Sequence, residues 1–116
     1  MTENRVCDYV DHIIEAAQQA CSYTAEMSLD EFLGDKRTQQ AVILNIIIIG
    51  EASAKILQNH IEFTERHPQV PWRAIKGMRN RIAHGYFDID LKIVWATVQT
   101  ALPDLASQMN KIRDTL

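Results

Sequence analysis

The most hydrophobic stretch of the chain, residues 35 to 58, is apolar on two sides if it is wound into a helix. Its apolar residues recur at spacings of three and four, which is the period of an α-helix. One predicted face comprises Ile43, Ile46, Ile47, Gly50, Ala54 and Leu57, and the second comprises Val42, Ile49 and Ser53. Such a helix either lies at the centre of a bundle or divides its surface between the core and a partner subunit. We favour the central position, because long apolar helices are commonly buried.

Patterns before this stretch predict two further helices. Residues 4 to 23 place apolar side chains at spacings of three and four, with acidic and amide side chains between them. This arrangement is typical of a helix with one buried face. Ser28 is followed three residues later by Glu31, which has the form of a capping box, and Gly34 ends the short helix that the box begins.

Two more helices are predicted after the apolar stretch. Pro71 suits the first position of a helix, because its missing N–H has no helical partner there. That helix is expected to continue to His84, with Gly85 as its C-cap. After a brief turn, Asp88 or Asp90 can cap a last helix that keeps helical periodicity to the end of the chain.

These segments predict an all-α fold. The chain has 116 residues, of which 47% are hydrophobic, enough apolar surface for one compact core. We therefore expect a single domain over residues 1–116. We also expect a kink in the last helix at Pro103, because proline disrupts helical hydrogen bonding.

The termini and the cysteines predict a soluble cytoplasmic protein without a cofactor. Residues 1 to 5 lack the charged-then-apolar layout of a signal peptide. The longest apolar run, residues 41 to 49, contains Asn45 and is too short to span a bilayer, so no membrane association is expected. Cys7 and Cys21 have neither a CxxC pattern nor histidines at ligand spacing, so no metal site is indicated.

The formal charge of the chain, −3, conceals a strongly basic segment. Residues 66 to 87 include no acidic residue and five basic ones, which leaves −8 for the rest of the chain. The basic residues are Arg66, Arg73, Lys76, Arg79 and Arg81. A basic segment on an acidic body would hold a polyanion at one place and repel it elsewhere, which suits a site better than a nucleic-acid coat.

Within this segment, Arg79, Asn80, His84 and Tyr86 form the pattern Arg-Asn, three residues, His, one residue, Tyr. On a continuous helix Asn80 and His84 share a face, whereas Arg79 lies about 140° around the axis from His84. Two such helices that met at a two-fold axis could line one shared cleft with both sets of side chains.

These residue types can cleave RNA without a metal ion. A histidine can take a proton from a 2′-hydroxyl or give one to the leaving 5′-oxygen, and an arginine can hold the phosphate. The alternatives are that His84 is only part of a helix cap and that the arginines are only solvated. Arg73, Lys76 and Arg81 are predicted either to contact RNA phosphates or to be solvated.

The run from Arg79 to Tyr86 resembles the signature of the HEPN superfamily, and more narrowly that of the HepT-like toxins of type VII toxin–antitoxin pairs. Residues 49–52, Ile-Gly-Glu-Ala, and residues 71–75, Pro-Trp-Arg-Ala-Ile, are also similar to that family. The resemblance extends over essentially the whole chain, with no departure inside the motif.

The resemblance implies a four- to five-helix up-down bundle that forms a homodimer with a composite cleft. It also implies metal-independent endonucleolytic cleavage of RNA. It assigns Arg79 and His84 to catalysis, Asn80 to a supporting polar position, and Tyr86 to the position that an MntA-like nucleotidyltransferase antitoxin blocks by adding AMP. It assigns no role to Arg81. Glu51 is interpreted either as a structural polar group or as part of the cleft.

Two functions are compatible with this sequence. The first is a ribonuclease toxin that cuts tRNA or mRNA, and the second is a catalytically inactive helical scaffold for a nucleotidyltransferase. The intact pair of Arg79 and His84 favours the enzyme, since a scaffold has no physical need for that combination. Tyr86 is expected to project from the turn near the cleft, and the alternative is a tyrosine buried in the core.

Overall fold

A computed structural model describes the backbone of residues 2–116 and the side chains of residues 5–116, so that Met1 lies outside the described residues. The α-helices are α1 (Thr2–Thr24), α2 (Leu29–Leu33), α3 (Lys36–Asn59), α4 (Ile61–Arg66), α5 (Trp72–His84), α6 (Leu91–Ala96) and α7 (Leu102–Thr115). A 3₁₀ turn (Tyr86–Asp88) follows α5, and a π-helical turn (Thr97–Ala101) joins α6 to α7. Residues 2–116 contain no strand, and the all-α prediction is confirmed.

Local hydrogen bonds begin the helices where the sequence predicts. The capping box is formed: the Glu31 amide donates to Ser28 Oγ over 3.1 Å, and the Ser28 amide donates to Glu31 Oε1 over 2.9 Å. Asp35 caps α3 by accepting from the Thr38 amide at 3.0 Å. That backbone hydrogen bond is the main reason why the pKa of Asp35 is lowered, because it stabilises the carboxylate.

The ends of α5 differ slightly from the prediction. Pro71 is the N-cap, one residue before the helix, because its carbonyl already accepts from the Ile75 amide at 3.0 Å while its own backbone is not helical. Gly85 ends the helix as predicted, and its amide donates to the Arg81 carbonyl over 3.0 Å. Asp90 rather than Asp88 caps α6, since its carboxylate accepts from the Lys92 amide.

A π-helical turn lies just before Pro103, the residue at which the sequence predicts a kink. From Leu91 to Thr115 the chain is continuously helical, with the π-helical turn between α6 and α7. Pro103 has no N–H, so the carbonyl of Gln99 cannot receive its usual helical hydrogen bond. An inserted wider turn is one way in which a helix accommodates such a break.

The helices pack as a bundle with α3 at its centre. Helix α3 packs against α1 and α5, and α1 also packs against α7. Helices α1 and α7 are antiparallel, because Cys21 lies beside Val98 while Asp11 pairs with Arg113 further along α7. Between α5 and α7 an apolar cleft of 460 Å³ remains open, lined partly by Ile75 and Leu105.

Helix α3 is central, as the sequence favours, but one stripe of it is exposed. Its buried residues are Val42, Ile43, Asn45, Ile46, Ile49, Gly50, Ala52, Ser53 and Ile56. Ile47, Ala54 and Leu57, which belong to the first predicted apolar face, are only half-buried. Leu44 is 58% exposed and Ile48 is 37% exposed, and both lie on the side that carries Glu51. The sequence offered two alternatives for α3, burial in the core or contact with a partner subunit. The helix has a buried side and also an exposed apolar stripe, so burial of one side leaves the other available.

By length and mean hydropathy alone, α3 is the one helix of the described chain that could cross a bilayer. Half of the most apolar 18-residue stretch of this helix is buried inside the bundle. The core helix of a soluble protein has the same length and composition.

Candidate active site

Helix α5 divides the predicted site residues between two of its sides. At about 100° per residue, Arg73, Lys76, Asn80 and His84 fall within a sector of about 80°. That sector faces solvent, since Arg73, Lys76 and His84 are exposed and Asn80 is half-buried. Arg79 lies about 140° from His84, at the edge of the face that packs on α3. The prediction that the two side chains diverge on one helix agrees with this placement.

Arg79 is held at the junction of α5 and α3 by Glu51. The guanidinium Nη1 of Arg79 donates to Glu51 Oε1 in a short ion pair. The Arg79 side chain is 20% exposed and that of Glu51 is 52% exposed, so the pair lies at the rim of the junction. Arg79 Nε is buried and has no hydrogen-bond partner among the described residues. Glu51 thus fixes one end of the guanidinium and leaves Nη2 for another acceptor.

Gly50 allows Arg79 to approach α3 so closely. A Cβ atom added at Gly50 would lie 2.2 Å from Arg79 Cβ and 2.7 Å from Arg79 Cγ. Both distances are far below a normal contact between carbon atoms. A glycine is therefore required at this position for α3 and α5 to pack with Glu51 in reach of the guanidinium.

His84 and Tyr86 lie at the exposed end of α5. His84 is the last residue of the helix, and Tyr86 begins the 3₁₀ turn after the Gly85 cap. The Tyr86 side chain is 45% exposed, which disagrees with the alternative of a core tyrosine. Within residues 5–116, no hydrogen bond connects the side chains of Arg79 and His84.

The exposure of the basic residues suits contact with a polyanion. Arg73, Lys76 and Arg81 are all exposed, and Arg81 borders the cleft between α5 and α7. Arg66 also lies at the surface, where its guanidinium sits 5.9 Å from the centre of the Phe63 ring. These placements are compatible with both predicted roles, solvation and phosphate contact.

The remaining histidines and the cysteines are not gathered into a site. His67 packs on Phe63 with 4.7 Å between ring centres, and burial followed by the charge of Arg66 lowers its pKa. Cys7 and Cys21 are free and half-buried, and burial raises the pKa of the Cys21 thiol. Among the side chains of residues 5–116, no three His, Cys, Asp or Glu residues form a cluster that could hold a metal ion.

Two features of this region are absent from the sequence prediction. The pairing of Glu51 with Arg79 joins residues 28 positions apart, so only the packing of α3 on α5 reveals it. Phe87 is 99% exposed, and the sequence prediction gives it no role. The adjacency of Phe87 to the motif is the one sequence signal that could have drawn attention to it.

The all-helical bundle and the Arg-x4-His motif on a basic helix define the class of ribonucleases of the HEPN superfamily. The family model described as "Ribonuclease HepT-like" matches residues 13–112. The chain therefore belongs to the HepT-like ribonuclease family and is a ribonuclease.

Relatives over the full domain agree with this assignment. The chain is 40% identical over 106 residues to the "Probable ribonuclease HepT" of Thermococcus cleftensis, covering 91% of this chain and 94% of that protein. It is 33% identical to a protein of Methanocaldococcus jannaschii named as an RNase, covering 97% of this chain and 90% of the relative. A third relative named as an RNase, from Caldanaerobacter subterraneus, is 32% identical and covers 90% of each chain. No solved structure was found to match the chain.

Proposed function

We propose that this ribonuclease cuts RNA internally without a metal ion, with His84 as the proton-transfer group and Arg79 as the phosphate ligand. The observation that supports this most directly is the placement of His84 at the exposed end of a helix face that also presents Arg73 and Lys76. An RNA backbone laid along this face would meet the histidine at the helix end. Asn80, one turn before His84, supplies a polar group for the same phosphate or sugar.

The reaction is an internal transesterification. His84 accepts the proton of the 2′-hydroxyl as O2′ attacks phosphorus, and the bond from phosphorus to O5′ breaks. The leaving O5′ receives a proton from the second histidine of the dimer or from water. The guanidinium of Arg79 stabilises the negative charge on the non-bridging oxygens. The products carry a 2′,3′-cyclic phosphate and a 5′-hydroxyl.

The test is incubation of the purified protein with total RNA in EDTA, followed by mapping of the product ends. His84→Ala should lower the cleavage rate by about 10²–10⁴ because it removes the acid or base. Its thermal unfolding should match that of the wild type, because His84 is exposed. A folded His84→Ala protein that cleaves as fast as the wild type would contradict this mechanism and favour the scaffold.

The proposal includes a homodimer with a composite cleft. Arg79 and His84 point to different sides of α5, so a second copy would bring an Arg79 of one chain toward a His84 of the other. The exposed stripe of Leu44 and Ile48 offers an apolar surface next to Glu51, the residue that holds Arg79. Packing of two α3 helices through this stripe would place both sites at the interface.

We also propose that the enzyme is the toxin of a toxin–antitoxin pair, in which an MntA-like nucleotidyltransferase transfers AMP to the Tyr86 hydroxyl. The exposure of Tyr86, two residues past His84, supports this site of modification. An attached AMP would add an anion beside the arginines and compete with the substrate phosphate.

Co-expression with the candidate antitoxin tests this modification. Intact mass should increase by one AMP for the wild type and not for Tyr86→Phe, and cleavage should be lost only in the modified protein. Equal inhibition of both proteins without an adduct would show instead that the antitoxin acts by binding.

A further inference from the structure

Phe87 is an exposed aromatic side chain that the fold does not use. It is 99% exposed, whereas the other exposed large apolar side chains in the described part of the chain range from 36% to 58%. A side chain in this position gains no hydrophobic stabilisation from folding. Its role must therefore be sought outside the core of this chain.

The turn holds the Phe87 ring open beside the candidate active site. The Asp88 amide donates to the Gly85 carbonyl over 2.9 Å, which fixes the 3₁₀ turn. The rings of Tyr86 and Phe87 meet edge to face, with 6.0 Å between centres and an interplanar angle of 88°. Because Phe87 stays almost fully exposed despite this contact, its ring faces remain open to a ligand. Three trans peptide units separate its Cα from that of His84 by at most roughly 11 Å.

The charge on the α5 side of Phe87 suits a nucleic-acid strand, and Asp88 on its other side ends the basic segment. The exposed face of α5 carries Arg73 and Lys76 and leads to His84, and residues 66 to 87 include no carboxylate. A basic track that ends at an exposed aromatic ring is the combination that binds single strands, since the phosphates follow the charges and a base stacks on the ring.

We propose that Phe87 is a stacking platform for an unpaired base next to the phosphate that is cut, and that it makes the enzyme selective for single-stranded RNA. This inference rests on the proposed ribonuclease mechanism. A base in a duplex is already stacked and paired, so it is not available to the ring. Stacking is tolerant of sequence, so Phe87 selects an unpaired strand rather than one base.

A surface for a protein partner is the competing role of Phe87. The exposed apolar stripe of Leu44 and Ile48 on α3 is the surface proposed above for self-association. Phe87, in contrast, follows the basic helix α5, and the exposed charges of Arg73 and Lys76 on that helix favour RNA over an apolar protein surface.

The experiment measures binding of a fluorescent, mixed-sequence, single-stranded 2′-O-methyl RNA. Blocking the 2′-oxygen removes the nucleophile, so the full active protein can be titrated without cleavage. Phe87→Ala should raise Kd about 5- to 150-fold, the loss expected for one stacked base. Phe87→Trp should bind as the wild type does, whereas Phe87→Leu should bind as weakly as Phe87→Ala. Leu116→Ala, which truncates another exposed apolar side chain outside α5, should change nothing.

The matched duplex and the oligomeric state complete the test. Wild type should bind the duplex more weakly, and Phe87→Ala should not alter that binding. Wild-type affinity of Phe87→Ala or Phe87→Leu for the single strand would overturn the platform. A decrease in the mass of Phe87→Ala by sedimentation, with unchanged RNA binding, would place Phe87 in an interface instead. If the wild type neither bound nor cleaved any RNA, the proposed function itself would be refuted. The Phe87 variants test only the role of that side chain.

Discussion

Arg79 is the residue whose surroundings most restrict the chemistry of the site. Its guanidinium is mostly covered, and one end is paired with Glu51. Burial of an arginine without a partner carries a desolvation penalty, so the carboxylate stabilises the charged group where it lies. The same pairing limits the directions in which Arg79 can donate to a phosphate. In the proposed mechanism Glu51 is therefore a positioning residue, because it would act through Arg79.

Replacement of Glu51 should separate positioning from charge. Glu51→Ala should lower kcat/KM about 10- to 100-fold, because a hydrogen bond to a charged group is lost and the guanidinium is free to turn. Glu51→Gln should retain more activity, since its amide oxygen still accepts from Arg79. The measurement is steady-state cleavage of a single RNA, with kcat and KM resolved. Glu62→Ala, an exposed acidic residue on α4, is the control and should be unchanged. Faster cleavage by Glu51→Ala would show that Glu51 instead competes with the substrate.

At the scale of helices, the site depends on how closely α5 approaches α3. The two helices are in close contact at Gly50, because the Cβ and Cγ atoms of Arg79 occupy the space that a side chain would need. The chain before α5 is fixed separately: the indole N–H of Trp72 donates to the His67 carbonyl over 3.0 Å. The position of Arg79 therefore results from two anchors on α5, one at its start and one beside Gly50.

Gly50→Ala should destabilise the fold and inactivate the enzyme. The added methyl group would force α5 away from α3, and overpacking of this kind costs about 1–3 kcal/mol. Gly77→Ala is the matched control on α5, since the nearest atom to its added Cβ would be Arg81 Nη1 at 3.9 Å. That change should instead stabilise the helix by about 0.4–1 kcal/mol. Urea unfolding and RNA cleavage report both effects. Equal stability of the two variants would show that the contact at Gly50 is not tight in solution.

At the scale of the whole molecule, the fold leaves apolar surface on α3 beside the site. Leu44 and Ile48 are one helical turn apart, and Glu51 continues the same side of the helix. The described chain measures 43 × 28 × 22 Å, and its candidate catalytic residues lie on two sides of one helix rather than around a closed pocket. A second copy is the simplest means of completing such a site.

Leu44→Lys should convert the enzyme to an inactive monomer that remains folded. The substitution places a charge in the proposed interface but touches no core residue, since Leu44 is exposed in the isolated chain. Sedimentation should give twice the chain mass for the wild type and the chain mass for the variant. Ile61→Lys, on the exposed surface of α4, should stay dimeric and active. An active monomer would contradict the composite cleft.

The local sequence predicts much of the secondary structure of this protein. Helix starts at Ser28 and Asp90 and the helix end at Gly85 depend on hydrogen bonds between residues a few positions apart. Arg79 and His84 are also close in the chain, so the 3.6-residue period of α5 alone predicts that their side chains diverge. The prediction placed Pro71 in the first position of α5, but the helix begins one residue later, at Trp72. The reason is that the backbone conformation of Pro71, which the residue type alone does not determine, is not helical.

Only the tertiary structure decided the contacts of the site and the exposure of its neighbours. The sequence left Glu51 between a structural role and the cleft, and the packing of α3 on α5 places it on Arg79. The helical periodicity of α3 predicts that two of its sides are apolar, but it does not predict that Leu44 remains exposed. Likewise, the sequence shows that Phe87 is apolar but does not show that its side chain is exposed. Helical period determines which residues share a face, but whether that face meets another helix depends on residues distant in the chain.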